Sequence, residues 1–251
     1  MDTEECEIYD LAVVSQDTLL VCNGSDRQVE LVSRQTGEVL SQLDLEGRPW
    51  STCLVGRDIA AVTLPGTHMV QLIKIKGNTL VQDEELELSD DVFGITTSGD
   101  NLVVTHNEQP WLEVISTDGK VLQQFHSTGN TQHFNVPVFI TTSPEGTLWV
   151  SDWGNNTITK MDASLTILQT FTSPLLEKPC GITAVTEDEI LVCSESNNSI
   201  VLLQPSTNTI STLLGKEDGI EQPDSLTYCP QERKLFVAPG TTDSIKVFKF
   251  T

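Results

Sequence analysis

Histidine side chains are the first groups in this sequence that could support metal chemistry. A zinc-dependent lyase or hydrolase needs about three protein ligands that converge on one ion and leave a coordination position open. The histidines share no H-x-H spacing and fall in outer segments or connections of a repeated pattern described below; they are His68, His106, His126 and His133. We therefore expect histidines on solvated loops and no zinc centre.

Carboxylates near a central channel are the second candidate chemistry. A calcium-dependent hydrolase would need several Asp, Asn or Glu oxygens to converge at the entrances of the inner strands. Those entrances are small or uncharged, and Asp10, Asp91 and Asp224 nearby are better explained as turn caps than as metal ligands. G-x-S-x-G, a phosphate-binding loop and a dinucleotide-binding motif are also absent from the sequence. We predict no catalytic residue, metal or cofactor. The entrance positions are Ser51, Gly94, Ile140, Gly181 and Ser225.

Large aromatic and basic side chains in the connecting loops are the third candidate, and they suggest binding. Trp and Arg are enriched at the energetic centres of protein interfaces, and loops carry function more often than the strands they connect. Two loops of each repeat should emerge on one face, and we expect Trp111, which follows Pro110, to be the most exposed aromatic. The alternative is that these rings wedge between neighbouring repeats. The candidate residues are Arg48, Trp50, His68, Phe93, His106, Trp111, Trp153 and, in the same loop set, Phe139.

Six repeats position these residues. Short apolar runs end at six valines separated by 41, 42, 46, 42 and 45 residues. This period matches a four-stranded propeller blade of about 40–50 residues. Each run is followed by a turn rich in Gly, Asn, Asp and Ser and by an alternating strand, and no long segment has helical periodicity. The six anchors are Val21, Val62, Val104, Val150, Val192 and Val237.

The repeats predict one all-β domain, a six-bladed β-propeller with four antiparallel strands in each blade. The strand before each anchor should be innermost, because segments such as "FGITTS" and "CGITAV" carry small side chains suited to a crowded axis. The last blade lacks a fourth strand, so residues 3–8 are predicted to cross over as a closing strand that protects the sheet edge. The blades are predicted at 9–47, 48–90, 91–136, 137–178, 179–222 and 223–251 with 3–8.

The strand entrances and turns resemble NHL repeats. Pro179, Gly181 and Ile182 match a P-x-G-I start, and "SDWGNNTITKMD" resembles the D-x-x-N-x-x-I turn of that family. The nearest resemblance is to the C-terminal propellers of tripartite-motif (TRIM) proteins, particularly invertebrate ones. It implies a substrate-recognition domain of a ubiquitin ligase, whose RING, B-box and coiled coil would lie outside this chain. Oligomerisation would then depend on those upstream regions.

The net charge of the chain restricts the classes of partner that it can bind. It has 36 acidic and 14 basic side chains, a net charge of −22, which disfavours nucleic acid and either maintains solubility or attracts a basic partner. The acidic stretch at 83–88 is likewise interpreted either as an outermost strand whose charges prevent edge-to-edge pairing or as a docking surface for a basic peptide. The sequence has no apolar run for a membrane, and we expect a cytoplasmic protein that binds a protein or peptide. RNA binding and a metal-dependent hydrolase or lyase are the alternatives.

Overall fold

The strands of this chain form separate antiparallel sheets arranged around an axis. The computed structural model describes residues 7–126, 132–240 and 244–250. These residues form six sheets in which the strands follow one another in chain order. Five sheets have four strands, and the last has three among the described residues. The predicted fold class, an all-β six-bladed propeller, is confirmed.

The first three blades each contain four strands. Blade 1 contains β1 (Ile8–Val13), β2 (Thr18–Asn23), β3 (Gln28–Ser33) and β4 (Val39–Asp44). Blade 2 contains β5 (Thr52–Leu54), β6 (Ile59–Leu64), β7 (Met69–Lys76) and β8 (Thr79–Glu87). Blade 3 contains β9 (Val92–Ser98), β10 (Asn101–His106), β11 (Trp111–Ile115) and β12 (Val121–His126).

The last three blades follow the same order. Blade 4 contains β13 (Pro137–Thr142), β14 (Leu148–Asp152), β15 (Thr157–Met161) and β16 (Ile167–Thr172). Blade 5 contains β17 (Pro179–Thr186), β18 (Glu189–Ser194), β19 (Ser199–Gln204) and β20 (Thr209–Leu214), followed by a short 3₁₀ turn at Lys216–Asp218. Blade 6 contains β21 (Pro223–Cys229), β22 (Lys234–Pro239) and β23 (Lys246–Lys249). No helix in the described part of the chain is long and apolar enough to cross a membrane.

The six anchor valines occupy equivalent places in the second strand of every blade. All six are buried, because the second strand lies between two others and packs on both faces. The outer strands β4 and β12 instead expose alternate residues. Each anchor pairs with a third-strand residue: Val21 with Glu30, Val62 with Gln71, Val104 with Glu113, Val150 with Thr159, Val192 with Val201, and Val237 with Lys246.

The inner strands approach one another so closely that two glycines are required. A Cβ on Gly94 of β9 would lie 2.9 Å from Phe139 Cα in β13. A Cβ on Gly181 of β17 would lie 2.6 Å from Ser225 Cα in β21. Both distances are shorter than real Cβ atoms tolerate, so small residues at the inner strands are a consequence of crowding at the axis.

The ring closes by packing of blade 6 against blade 1. Ile8 and Leu11 of β1 form a buried cluster with Phe236 of β22, and Arg34 makes an ion pair of 2.5 Å with Glu232. The predicted closing strand at residues 3–8 is wrong at its described end, since Ile8 pairs with Asn23 in the inner hairpin of blade 1. Residues 3–6 lie outside the described residues.

Candidate functional site

A cavity opens where the inner strands begin, at one end of the axis. Its volume is about 300 Å³. Its wall combines aromatic and aliphatic side chains with a few polar groups, and it draws on the entrances of five blades. The lining residues are Trp50, Phe93, Asn107, Val136, Val138, Phe139, Trp153, Cys180, Glu195 and Asp224.

Trp50 is the centre of an aromatic cluster on this wall. Its ring stacks on Tyr9 with centroids 4.9 Å apart and meets Phe93 edge-on at 5.4 Å. Phe139 lies 6.2 Å away on another side. Offset and edge-on arrangements of this kind are favourable beyond the apolar area that they bury. The cluster therefore fixes the rings that form the apolar half of the cavity.

Thr63, fully buried at the end of β6, holds the two connections that carry Trp50 and Phe93. Its backbone carbonyl accepts a hydrogen bond from the Trp50 amide at 2.9 Å. Its hydroxyl donates to the Phe93 carbonyl at 2.5 Å and accepts from the Ser51 amide at 3.0 Å. One buried side chain thus joins blades 2 and 3 beneath the aromatic cluster.

Asp152 organises the turn that presents Trp153. The buried Asp152 carboxylate accepts hydrogen bonds from the amides of Asn135 and Val136, at 2.8 and 2.9 Å, and from Gly154 and Asn155 within its own turn. Such Asx turns fix a short loop through the side chain of its first residue. The sequence motif that resembles the NHL turn is therefore a device for holding Trp153 at the cavity mouth.

Trp153 is partly exposed, with 37% of its surface accessible, and its polar and aromatic parts are both engaged. The indole Nε1 donates to Glu195 Oε2 at 3.2 Å. Lys178 Nζ lies 4.6 Å from the ring centroid, within range of a cation–π interaction. One face of the Trp153 ring is therefore in contact with a cation of its own chain.

Asp224 and Cys180 form the polar side of the cavity. Burial raises the pKa of Asp224 from 3.8 to about 7, with a hydrogen bond from the Cys180 thiol opposing the shift and the charge of Glu195 adding to it. Burial also raises the pKa of Cys180 well above its usual value. The cavity therefore presents one carboxyl that ionises near neutral pH beside a neutral thiol.

Two buried polar atoms of cavity-lining residues have no hydrogen-bond partner within the described residues. They are the indole Nε1 of Trp50, a donor, and the side-chain Oδ1 of Asn107, an acceptor. A buried polar atom without a partner costs about 1–3 kcal/mol. Both atoms are closed off from solvent, so they belong to the packing around the cavity and not to its open surface.

Asp10 lies close to this site but serves the scaffold. The Asp10 carboxylate accepts hydrogen bonds from Ser225 Oγ at 2.6 Å, Ser51 Oγ at 2.9 Å, and the amides of Thr52 and Leu11 at 2.8 and 2.9 Å. Burial raises its pKa to about 6 against these hydrogen bonds. Asp10 thereby joins blades 6, 1 and 2.

Several of the predicted binding residues come together at this mouth. Trp50, Phe93, Phe139 and Trp153 all line the cavity. Arg48 is exposed beside it, 3.9 Å from Glu7 Oε2 and 3.4 Å from the Tyr9 hydroxyl. His68 is also exposed but lies apart from the cavity lining, with its Nε2 3.2 Å from Asp91 Oδ1.

His106 and Trp111 are not exposed loop residues, and their predicted accessibility is wrong. His106 ends β10 fully buried, with Nε2 3.0 Å from Glu113 Oε1 and Nδ1 3.0 Å from the Asp91 carbonyl. Trp111 begins β11 with 6% of its surface accessible, and its ring stacks between His106 at 4.0 Å and His126 at 4.6 Å. These rings stack across the strands of blade 3 and therefore stabilise the blade.

The polar wall of the cavity was largely missed by the sequence analysis. Asn107, Glu195 and Cys180 were not among the candidates, although Cys180 directly precedes Gly181 in the P-x-G-I segment. The register of an inner strand was the available signal, because the residue before the crowded glycine must face the cavity mouth. Within the described ranges, no three His, Cys, Asp or Glu side chains form a group that could hold a metal ion.

Known proteins resemble this chain only distantly. No family model matches the chain. It is 24% identical over 243 residues to the E3 ubiquitin-protein ligase TRIM56 of Homo sapiens, covering 91% of this chain and 31% of that protein. It is 26% identical over 141 residues to TRIM56 of Mus musculus, covering 55% of this chain and 19% of that protein. The chain thus spans less than a third of the length of these relatives.

Solved structures share the fold at lower identity. A streptogramin B lyase has a TM-score of 0.73 and 15% identity, covering 100% of this chain and 85% of the other. A protein of unknown function from Bacteroides thetaiotaomicron has a TM-score of 0.79 and 14% identity, covering 99% of this chain and 70% of the other. These likenesses establish the propeller architecture alone. The similarity to TRIM56 is weak, and NHL type is not established by it.

Proposed function

We propose that this chain is a protein-interaction propeller that binds a protein or peptide partner at its axial mouth. The observation that carries the proposal is the convergence of Trp50, Phe93, Phe139 and Trp153 from three blades on one cavity. Aromatic side chains concentrated in a concave site supply large contact areas at low entropic cost. The site binds its partner without converting it.

The similarity to TRIM56 supports a role in ubiquitin-ligase recognition. Those relatives are E3 ubiquitin-protein ligases, and this chain matches a fifth to a third of their length. A propeller that selects a substrate for a ligase needs a binding face and no catalytic centre of its own. We therefore propose that the chain recognises the substrate and that catalysis belongs to another part of the ligase.

Selection from a random peptide library tests the function. We expect the wild-type protein to enrich a peptide family that binds with micromolar affinity and loses at least about tenfold of that affinity, roughly 1.4 kcal/mol, when Phe93→Ala and Trp153→Ala are combined. Phe93 and Trp153 are chosen because both are partly exposed and neither lies in the packed centre of a blade.

A matched control keeps loss of binding distinct from loss of folding. Leu122 and Leu168 are exposed on the outer strands β12 and β16, so Leu122→Ala with Leu168→Ala removes comparable apolar surface far from the axis. This control should bind the selected peptides as the wild type does. Enrichment of RNA instead of peptide in a parallel selection, or turnover of streptogramin B by the purified protein, would overturn the proposal.

A further inference from the structure

We propose that the axial cavity receives a single basic side chain, lysine or arginine, from the partner. This inference rests on the proposed function and names the residue that the site recognises. The cavity volume of about 300 Å³ lies at the small end of ligand sites, which span about 300–1,000 Å³. One long side chain fits such a space better than a folded surface or a strand.

The aromatic wall provides the first half of the recognition. Trp50, Phe93, Phe139 and Trp153 present ring faces and edges around the same space. The face of an aromatic ring attracts ammonium and guanidinium groups, and its apolar surface packs against their methylene stems. A basic side chain uses both properties, whereas an acidic one would meet the negative faces of the rings.

The carboxylates provide the second half. Glu195 and Asp224 both line the cavity, and the whole chain carries a net charge of −22. A partly enclosed site focuses the field of such charges and raises the local concentration of cations. The acidic groups of the cavity and of the molecule therefore favour the same sign of ligand.

The basic groups nearby do not fill this space. Arg48 is 58% accessible at its side chain and pairs loosely with Glu7 at 3.9 Å. Lys178 lies over the Trp153 ring, and neither Arg48 nor Lys178 is among the lining residues. They set a positive outer margin, which would hold a flanking acidic or polar part of the partner. Because Glu195 Oε2 accepts from Trp153 Nε1, Asp224 and Glu195 Oε1 are the carboxylate oxygens left for a basic ligand.

Short peptides of one variable residue test the inference. The probes are acetyl-Gly-Gly-X-Gly-Gly-amide with X as lysine, arginine, norleucine or glutamate, titrated against the folded wild-type chain while the indole N–H signals of Trp50 and Trp153 are followed by NMR. We expect the lysine or the arginine peptide to shift these signals and to bind at least about fivefold tighter than the norleucine peptide. The glutamate peptide should be the weakest.

Charge-neutral variants separate electrostatic recognition from shape. Glu195→Gln combined with Asp224→Asn retains size and one acceptor oxygen at each position, and should reduce the affinity of the basic peptide at least about tenfold at pH 8. Asp100→Asn with Glu145→Gln is the matched control, because both lie exposed in inner hairpins at the other end of the strands. The control should leave the affinity unchanged.

The outcomes distinguish this inference from the function on which it rests. Equal or tighter binding of norleucine or glutamate, unchanged affinity in the charge-neutral variant, or no shift with any probe up to 10 mM, roughly −2.7 kcal/mol, overturns the basic-residue inference. Peptide selection would still support the proposed function if the enriched family lacked a basic residue. If selection enriched no peptide at all, the function itself would fail.

Discussion

Trp111 and Trp153 follow the second strands of neighbouring blades, yet Trp111 packs inside its blade and Trp153 lines the cavity. Trp111 is the first residue of β11 and lies between two imidazole rings. Trp153 belongs to the turn before β15 and is 37% accessible. The difference arises from their positions: Trp153 is the first residue of the turn after β14 and lines the axial cavity, whereas Trp111 is the first residue of the third strand of its blade. The first is a scaffold residue and the second a binding residue.

Truncating each tryptophan should separate these roles. Trp111→Ala removes a buried ring from between His106 and His126, and should lower the free energy of unfolding by about 3–5 kcal/mol. Trp153→Ala should lower it by about 1 kcal/mol or less and weaken peptide binding. Urea unfolding monitored by circular dichroism measures the first effect and peptide titration the second. A Trp111→Ala protein that is as stable as the wild type would contradict the stacked arrangement.

Asp224 makes the binding of a basic peptide depend on pH. Its pKa of about 7 means that the carboxyl is neutral below this pH and negative above it, so a cation should bind several-fold tighter at pH 8 than at pH 6. Glu195, Glu7 and Asp10 add negative charge around it, while Lys178 adds positive charge at the mouth. Titrations of the lysine and arginine peptides at pH 6, 7 and 8 measure the effect.

The Asp224→Asn variant assigns that pH dependence. Asp10, whose pKa is about 6, would change in the same direction, so the wild-type profile alone does not identify the group. In Asp224→Asn the rise in affinity between pH 7 and pH 8 should disappear. The norleucine peptide should show no rise in either protein. An unaltered profile in the variant would assign the titration to another carboxyl.

The burial of His106 and the polar wall of the cavity show what one-dimensional patterns miss. His106 is the last residue of β10 and is followed by a turn. The local sequence is equally compatible with a place in the strand and a place in the turn. Its burial depends on Glu113 across the hairpin and on the Trp111 ring. Hydrogen-bond partners on other strands are not encoded in spacing, so residue-level exposure could not be derived.

At the scale of the strand, the sequence determined far more. The six anchor valines fall in the second strand of each blade and in equivalent register. This could be predicted because apolar runs and turn residues are local signals that recur with the blade period. The inner strands were also recognisable, since the axis allows only small side chains at Gly94 and Gly181.

Alanine at the two crowded glycines should test that explanation. Gly94→Ala and Gly181→Ala place a Cβ 2.9 and 2.6 Å from backbone atoms of the next inner strand, and each should cost about 2–4 kcal/mol of the free energy of unfolding, because backbone cannot move aside as a side chain can. Denaturant unfolding of each variant measures the cost.

Gly240→Ala is the matched control for these substitutions. Its added Cβ would lie 3.4 Å from the nearest atom, Asp224 Cβ, which is close to ordinary contact. The change should alter the free energy of unfolding by less than about 1 kcal/mol. If Gly94→Ala and Gly181→Ala cost no more stability than Gly240→Ala, crowding at the axis would not explain the glycines.

For the whole molecule, the question is how the ring stays closed when its last blade has three strands among the described residues. We call the contact between blades 6 and 1 the seam. The cluster that joins Ile8 and Leu11 to Phe236 forms its apolar part. Arg34 adds an ion pair with Glu232 and lies 4.7 Å from the centroid of the Phe236 ring. Contacts between residues about two hundred positions apart carry no local sequence signal. Closure by packing between the first and last blades was therefore not predictable, whereas the number of blades was.

Asp10 should be the most sensitive single residue of this seam. Its carboxylate accepts from Ser225 in blade 6 and from Ser51 and Thr52 in blade 2, so Asp10→Ala leaves several buried donors without an acceptor at the point where the ring closes. We expect a loss of about 3–5 kcal/mol in the free energy of unfolding. Asp17→Asn, in an exposed turn of the same blade, should change it by less than about 0.5 kcal/mol.

The seam also predicts how the Asp10→Ala protein should fail. Because Asp10 connects three blades while the other hydrogen bonds of each sheet remain, the variant should open first between blades 6 and 1. Hydrogen exchange measured by mass spectrometry should then show faster exchange in β1 and β21 than in β13 and β17, which lie away from the seam. Uniformly faster exchange in all inner strands would indicate that Asp10 stabilises the ring as a whole and that blades 6 and 1 have no separate opening.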